Sequence, residues 1–228
     1  MIQKEIKSLT GIRGIAALYV VLYHELQNFE PVKSLPVIGC FVRHGYLSVD
    51  LFFMLSGFVI MLSTHNKFSN TLSLTNYNLF LKKRFTRIYP AYFVTLVLAC
   101  VFVTHFHPLS SIILSLILAS IISPRNQVLP VFWSLSTEWI IYMILPFAIN
   151  LTGRGSKLQL YLLLGVFFAF DGFLFVKFYG SDKILDQYIF PGAIIRGIAA
   201  YALGMCIYYT KQLTSKYYWL SDCYFMQR

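Results

Sequence analysis

Two residues of the first apolar run, Arg13 and His24, combine residue types and a spacing that suit acid–base or anion-binding chemistry. They are eleven positions apart, and at about 100° and 1.5 Å per residue a helix places them on one face, about 16 Å apart along the axis. A guanidinium binds anionic groups, while an imidazole titrates near neutral pH and serves as a general base. The alternative is a snorkelling arginine and an interfacial histidine that align by chance.

A second pair of cations, Arg84 and Arg87, stands three positions apart just before Ile88-Tyr89-Pro90. Residues at i and i+3 share a helix face, and each guanidinium can bind a phosphate through two hydrogen bonds. We expect a short inner helix that ends at Pro90 and presents both arginines at the cytoplasmic surface. The alternative is a basic cluster, shared with the two preceding lysines, that only sets membrane orientation.

A third group of polar side chains recurs at helical spacing within another apolar run. Ser134, Glu138 and Tyr142 stand at i, i+4 and i+8, which places a hydroxyl, a carboxylate and a phenol on one face of a helix. Because a helix that faced lipid all round would not gather such groups, this face is predicted to look inward. Asp50 enters the membrane at a level similar to His24 and is predicted to orient the imidazole. The alternative for Asp50 is a helix-terminal or interfacial acid.

The elements that must position these side chains follow from the composition. The 228 residues are 57% hydrophobic, 18% aromatic and only 12% charged, with a mean hydropathy of +0.65. So little charge excludes a soluble globular enzyme, and the aromatic content excludes a disordered chain. We predict an all-α fold, a polytopic transmembrane helical bundle with about seven spans. The apolar runs cover residues 9–27, 46–63, 89–106, 109–122 (short for a span), 131–149, 158–176 and 190–209.

No domain boundary is visible, so residues 1–228 are predicted to form a single membrane domain, with residues 210–228 as a non-spanning tail. The formal charge of +10 falls mainly between apolar runs, which indicates topology signals rather than nucleic-acid binding. Its distribution predicts a multi-pass protein with a cytoplasmic N-terminus. The four cysteines lack metal-ligand spacing, so no metal site is expected.

Ionisable side chains at bilayer depth are functional candidates by default, because each costs at least about 2.5–3.5 kcal/mol to insert. Residues that fall within or at the ends of the predicted spans are Arg13, His24, Asp50, Glu138, Asp171 and Arg196.

Taken together these elements resemble the acyltransferase 3 family of integral membrane O-acyltransferases. The similar stretches are residues 9–25, 47–60, 80–93 and 132–147, with weaker support from 194–209. In that family an Arg-x10-His motif lies in the first helix and an Arg-x-x-Arg motif precedes the third. Family members usually have about ten spans, so the resemblance implies a domain that is incomplete at its C-terminus.

The resemblance also implies a reaction. Family members transfer an acyl group, often acetyl, from cytoplasmic acyl-coenzyme A, a co-substrate rather than a bound cofactor, to a hydroxyl of an envelope glycan, a lipid-linked sugar or a similar acceptor. His24 would act as general base or as a transient acyl carrier. The resemblance implies that Arg13, Arg84 and Arg87 bind the donor. The implied catalytic groups are His24, Asp50 and Glu138. The implied acceptor-binding groups are Trp133, Ser134 and Tyr142.

Two other functions remain open from the sequence. A transporter or exporter would also carry buried Arg, His and acidic side chains, but it would more readily show paired, interrupted repeats. An inactive truncated remnant would explain the short length. Release of coenzyme A with transfer to an acceptor separates the first function from both alternatives.

Overall fold

The computed structural model describes residues 7–69, 71–102, 108–122, 127–152, 157–178 and 191–225, and all regular structure in these segments is helical. Two short 3-10 turns, Gly45–Leu47 and Ser120–Ile122, separate longer helices. The helices are α1 (Lys7–Leu26), α2 (Glu30–Lys33), α3 (Pro36–Arg43), α4 (Ser48–Phe68), α5 (Leu74–Phe102), α6 (Leu109–Leu116), α7 (Phe132–Thr152), α8 (Lys157–Phe178) and α9 (Gly192–Phe225).

Four of these segments are long and apolar enough to cross a membrane: Pro36–Phe68, Leu74–Phe102, Phe132–Leu151 and Gly192–Gln212. The predicted polytopic helical bundle is confirmed. Helix α6 has 8 residues and is about 12 Å long, so it is too short for a hydrocarbon core of about 30 Å. The apolar run at 109–122 therefore holds a broken helix, while a span for α1 or α8 stays a prediction.

The expected helix end at Pro90 is wrong, because α5 continues through Pro90 to Phe102. Proline removes one backbone hydrogen bond from the helix. The packing on both sides of it is uninterrupted, with Phe80 buried before Pro90 and Tyr92, Leu96 and Ala99 buried after it. Prolines are tolerated in membrane helices when neighbouring elements support the backbone, and this buried stripe provides that support.

The described chain forms two compact units, residues 1–63 with 200–228 and residues 64–199. The predictions of a single domain and of a non-spanning tail at 210–228 stay predictions, although α9 continues as a helix to Phe225.

In the first unit, α1 packs on the segment that joins α3 to α4. A side chain on Gly45 would place its Cβ 2.5 Å from Cβ of Tyr23, so glycine is required for this approach. The Tyr19 ring stacks on Phe41 with centroids 4.5 Å apart, and its hydroxyl donates to the Phe41 carbonyl. This contact fixes the rotation of α1 about its axis.

In the second unit, α5 and α7 run antiparallel and join through pairs of aromatic rings. Positions rise along α5 as their partners fall along α7, which fixes the register of the two helices. The paired rings, with centroid separations of 5.5, 6.1, 5.7 and 4.6 Å, are Tyr77 with Phe147, Phe80 with Tyr142, Phe85 with Trp139, and Tyr92 with Phe132.

The C-terminus of α6 ends in a tight cap built on Leu118, which has φ 57°. The Leu118 N–H donates to the Ser115 carbonyl and the Ala119 N–H to the Leu114 carbonyl, the pattern of a helix cap that usually has glycine at the left-handed position. Leu118 replaces that glycine because its side chain, 2% exposed, packs in the core with Tyr92. The hydroxyl of Tyr92 also donates to the Ser115 carbonyl at 2.8 Å.

Candidate functional site

Arg13 and His24 lie on one uninterrupted helix, α1, as their spacing requires. The packed face of α1 is marked by Ala16 and Tyr23, which are 3% and 4% exposed. Arg13 is half-buried and His24 is exposed, because both lie about 60–100° around the helix from Ala16 and Tyr23. A Cβ on Gly14 would meet no neighbouring atom within 4 Å. The His24 side chain is therefore accessible in the described chain, while Arg13 is partly covered.

Asp50 lies in the first turn of α4 and is half-buried. The N-terminus of a helix carries a partial positive charge, which stabilises a carboxylate in the first turn. Asp50 therefore lies at a helix terminus, the alternative position that the sequence left open for it. Its role in orienting His24 stays a prediction.

The structure brings Arg84, Glu138 and Tyr142 together. These three residues and Phe80 form what we call the Arg84 cluster. The Tyr142 hydroxyl donates a hydrogen bond of 2.5 Å to Oε1 of Glu138. The guanidinium carbon of Arg84 lies 5.8 Å from the centre of the Tyr142 ring and 5.4 Å from that of Phe80. Both contacts fall within the range of cation–π interactions. A predicted donor-binding cation and two residues of the predicted α7 face thus share one site.

The two arginines of the basic motif have different surroundings. Arg84 is half-buried and follows Phe80 by one turn on the packed stripe of α5, whereas Arg87 is exposed. The reason is geometric, because a separation of three residues rotates a side chain by about 60° around the helix. Arg87 is free to meet a ligand from outside the helix pair, and Arg84 is held inside it.

Trp133 is 7% exposed, and the guanidinium carbon of Arg196 lies 5.8 Å from its ring centre. Trp133 precedes Tyr142 by nine residues, so it lies about 180° around α7 from the Arg84 cluster. Acceptor binding by Trp133 stays a prediction, with one face of its ring already covered by a cation. The third predicted acceptor residue, Ser134, donates locally to the Val131 carbonyl at 3.0 Å.

The sequence marked Arg196 as a functional candidate without a specific role and gave no role to His65, yet both are buried, at 5% and 8% exposure. The signal for Arg196 was present, since it is an isolated cation in an apolar run. His65 gave no such signal, because it lies near the end of α4 beside polar residues. Among the residues that the structure describes, no three His, Cys, Asp or Glu side chains form a group that could hold a metal ion.

Comparison with known proteins identifies the family. Residues 6–221 match the family model described as an acyltransferase domain, Acyl_transf_3. The chain belongs to this acyltransferase family. The resemblance predicted from the four motif stretches is confirmed, and the protein is a member of a family of acyl-transferring enzymes. No solved structure matches the chain.

Three curated relatives of this chain come from different organisms. Protein 2 in the picA locus of Rhizobium radiobacter is 42% identical over 93 residues, which are 40% of this chain and 41% of the relative. Peptidoglycan O-acetyltransferase OatA of Listeria monocytogenes is 29% identical over 142 residues, 61% of this chain and 19% of OatA. Acyltransferase MdmB of Streptomyces mycarofaciens is 32% identical over 155 residues, 61% of this chain and 38% of MdmB. The matched regions thus span less than half of each relative.

Proposed function

We propose that this member of the acyltransferase family moves an acyl group, acetyl being the first to test, from cytoplasmic acyl-coenzyme A to a hydroxyl of an envelope glycan. The observation that carries the proposal is the alignment of Arg13 and His24 on one face of α1, with the His24 side chain exposed. The names of two relatives, a peptidoglycan O-acetyltransferase and an acyltransferase, support the same chemistry. The proposal places the protein in the inner (plasma) membrane with its N-terminus in the cytoplasm.

His24 is the general base in the proposed reaction. Its imidazole takes the proton of the acceptor hydroxyl as the oxygen attacks the thioester carbonyl, and the C–S bond then breaks. The proton passes to the departing thiolate, so the products are an O-acyl ester and free coenzyme A. His24 is exposed, which allows an acceptor to approach its ring.

Arg13, Arg84 and Arg87 are assigned to the donor, whose phosphates are best met by guanidinium groups. Arg87 is exposed and suits direct contact with a phosphate. Asp50 and Glu138 are assigned to orientation of the catalytic base or of the acceptor hydroxyl. Acceptor contact is the role that the sequence assigns to Trp133, Ser134 and Tyr142.

The test compares membranes that contain equal amounts of the wild-type chain and of His24→Ala. Mass spectrometry of envelope glycans measures the added acyl group, and a thiol assay measures coenzyme A released from acetyl-coenzyme A. We expect both signals from the wild type and neither from His24→Ala. His44→Ala is the matched control, because His44 is also exposed and its Nδ1 lies 2.7 Å from the Cys40 carbonyl oxygen. Acylation by His24→Ala at the wild-type rate would remove His24 from the mechanism.

One observation favours a second candidate, a transporter or exporter. Helix α6 stops after 8 residues and continues as a 3-10 turn, and interrupted helices often form substrate sites in transporters. Vesicles loaded with acetyl-coenzyme A and an envelope glycan separate the two candidates. Movement of either compound across the membrane without release of coenzyme A would favour the transporter over the transferase.

A further inference from the structure

One side chain, Tyr142, touches both charged members of the Arg84 cluster. Its hydroxyl donates to Glu138 Oε1 at 2.5 Å, and its ring centre lies 5.8 Å from the guanidinium carbon of Arg84. Tyr142 is itself only 3% exposed. The phenol therefore connects a carboxylate on its own helix with a cation on the antiparallel helix α5.

The two contacts strengthen each other. A phenol that donates to a carboxylate gains electron density, and hydrogen-bonded groups in a low-dielectric interior polarise one another. A more negative ring face attracts a guanidinium more strongly. Phe80 contributes a second ring 5.4 Å from the same guanidinium carbon, so rings of both helices contact Arg84.

The surroundings of Tyr142 argue against direct contact with an acceptor. A substrate hydroxyl needs an accessible partner, and the Tyr142 side chain is almost fully buried. Its one hydroxyl hydrogen is already donated to Glu138. From this position the Tyr142 side chain can fix the orientation of Glu138 and Arg84, which are both assigned to the reaction.

We propose that Tyr142 is a positioning residue that holds Glu138 and Arg84 in the orientation required for acyl transfer. The proposal rests on the proposed function, since it is this reaction that Glu138 and Arg84 serve. It replaces the acceptor-binding role predicted for Tyr142. Loss of a hydrogen bond to a charged group costs enough for an effect of about tenfold to a hundredfold on kcat/KM.

The test uses Tyr142→Phe, which keeps the ring and its packing and removes only the hydroxyl. Membrane vesicles with the full chain receive acetyl-coenzyme A carrying a labelled acetyl group, and label in envelope glycan gives kcat and the donor KM. We expect a higher donor KM through Arg84 and a lower kcat through Glu138. Tyr89→Phe is the matched control, because the Tyr89 hydroxyl donates to the Leu116 carbonyl, an uncharged acceptor.

A double-mutant cycle separates positioning from folding. If Tyr142 acts through Glu138, adding Tyr142→Phe to Glu138→Ala causes little further loss of kcat, because Glu138→Ala already removes the hydrogen-bond acceptor. If Tyr142 served folding alone, Tyr142→Phe would lower the amount of active protein and leave the donor KM unchanged. The losses of activity caused by Tyr142→Phe and Glu138→Ala would then be independent. That result, or a Tyr142→Phe enzyme as active as Tyr89→Phe, would overturn the proposal while leaving the proposed function intact. Absence of transfer by both the wild type and Tyr89→Phe would overturn the proposed function and this role with it.

Discussion

The guanidinium carbon of Arg84 lies 5.8 Å from the ring centre of Tyr142, midway along α7. Arg84 is half-buried in the α5–α7 pair, and a partly buried cation is costly unless neighbouring groups stabilise it. The rings of Phe80 and Tyr142, which lie against the guanidinium, provide part of this stabilisation, so Arg84 is part of the α5–α7 interface.

Arg84 and Arg87 are therefore predicted to respond differently to the same substitution. Arg84→Gln removes the cation from the cluster and is expected to lower the free energy of unfolding by about 1–3 kcal/mol. Arg87→Gln changes an exposed side chain, with an effect within about 0.5 kcal/mol. Both variants are expected to lower acetyl transfer. Unfolding in mixed detergent micelles, followed by circular dichroism, measures the difference, and equal stability of the two variants would contradict it.

Leu118 provides a test of the α6 cap, in which a leucine occupies a left-handed position. Leu118→Ala loses the buried side chain and keeps the strain, whereas Leu118→Gly loses the side chain and relieves the strain. Truncation of a buried leucine costs about 2–5 kcal/mol, and glycine recovers about 1 kcal/mol of it. We expect the glycine variant to be more stable than the alanine variant in the same unfolding assay. The reverse order would show that Leu118 is not held at positive φ.

Periodicity predicted the parts of the site that lie on single helices. The common face of Arg13 and His24 on α1 and that of Glu138 and Tyr142 on α7 depend only on helical geometry. Periodicity could not predict which helices pack against each other. Arg84 reaches Tyr142 because α5 and α7 pack antiparallel through aromatic rings far apart in sequence, and no local pattern encodes that pairing.

The remaining differences come from tertiary packing that overrides local preference. Pro90 is tolerated inside α5 because buried side chains continue on both sides of it. Leu118 takes the place of a capping glycine because its side chain fills the core. Arg196 carried a signal in its isolation, but its partner Trp133 lies on a distant helix.

The contact between Arg196 and Trp133 predicts a measurable coupling. Trp133→Leu removes the ring, and Arg196→Met removes the charge while keeping a long apolar stem. A cation–π contact in a desolvated site is worth about 0.5–2 kcal/mol. The loss in free energy of unfolding in the double variant should therefore be smaller than the sum of the two single losses by that amount. Trp133→Phe is the matched control, because it keeps a ring face and should retain part of the coupling. Strictly additive losses would show that the two side chains do not interact.

The approach of α4 and α9 within the first unit depends on Gly57 and Gly204. A Cβ at position 204 would lie 2.1 Å from the Met54 carbonyl oxygen, and one at position 57 would lie 2.6 Å from the Tyr201 carbonyl oxygen. Small residues allow membrane helices to pack backbone to backbone, so Gly204→Ala must push the helices apart and is expected to cost about 1–3 kcal/mol. Gly172→Ala on α8 is the control, because a Cβ there meets nothing within 4 Å and alanine is the better helix former by about 1 kcal/mol. Unfolding in mixed micelles should therefore move in opposite directions for the two substitutions, and a Gly204→Ala chain as stable as Gly172→Ala would contradict close packing of α4 on α9.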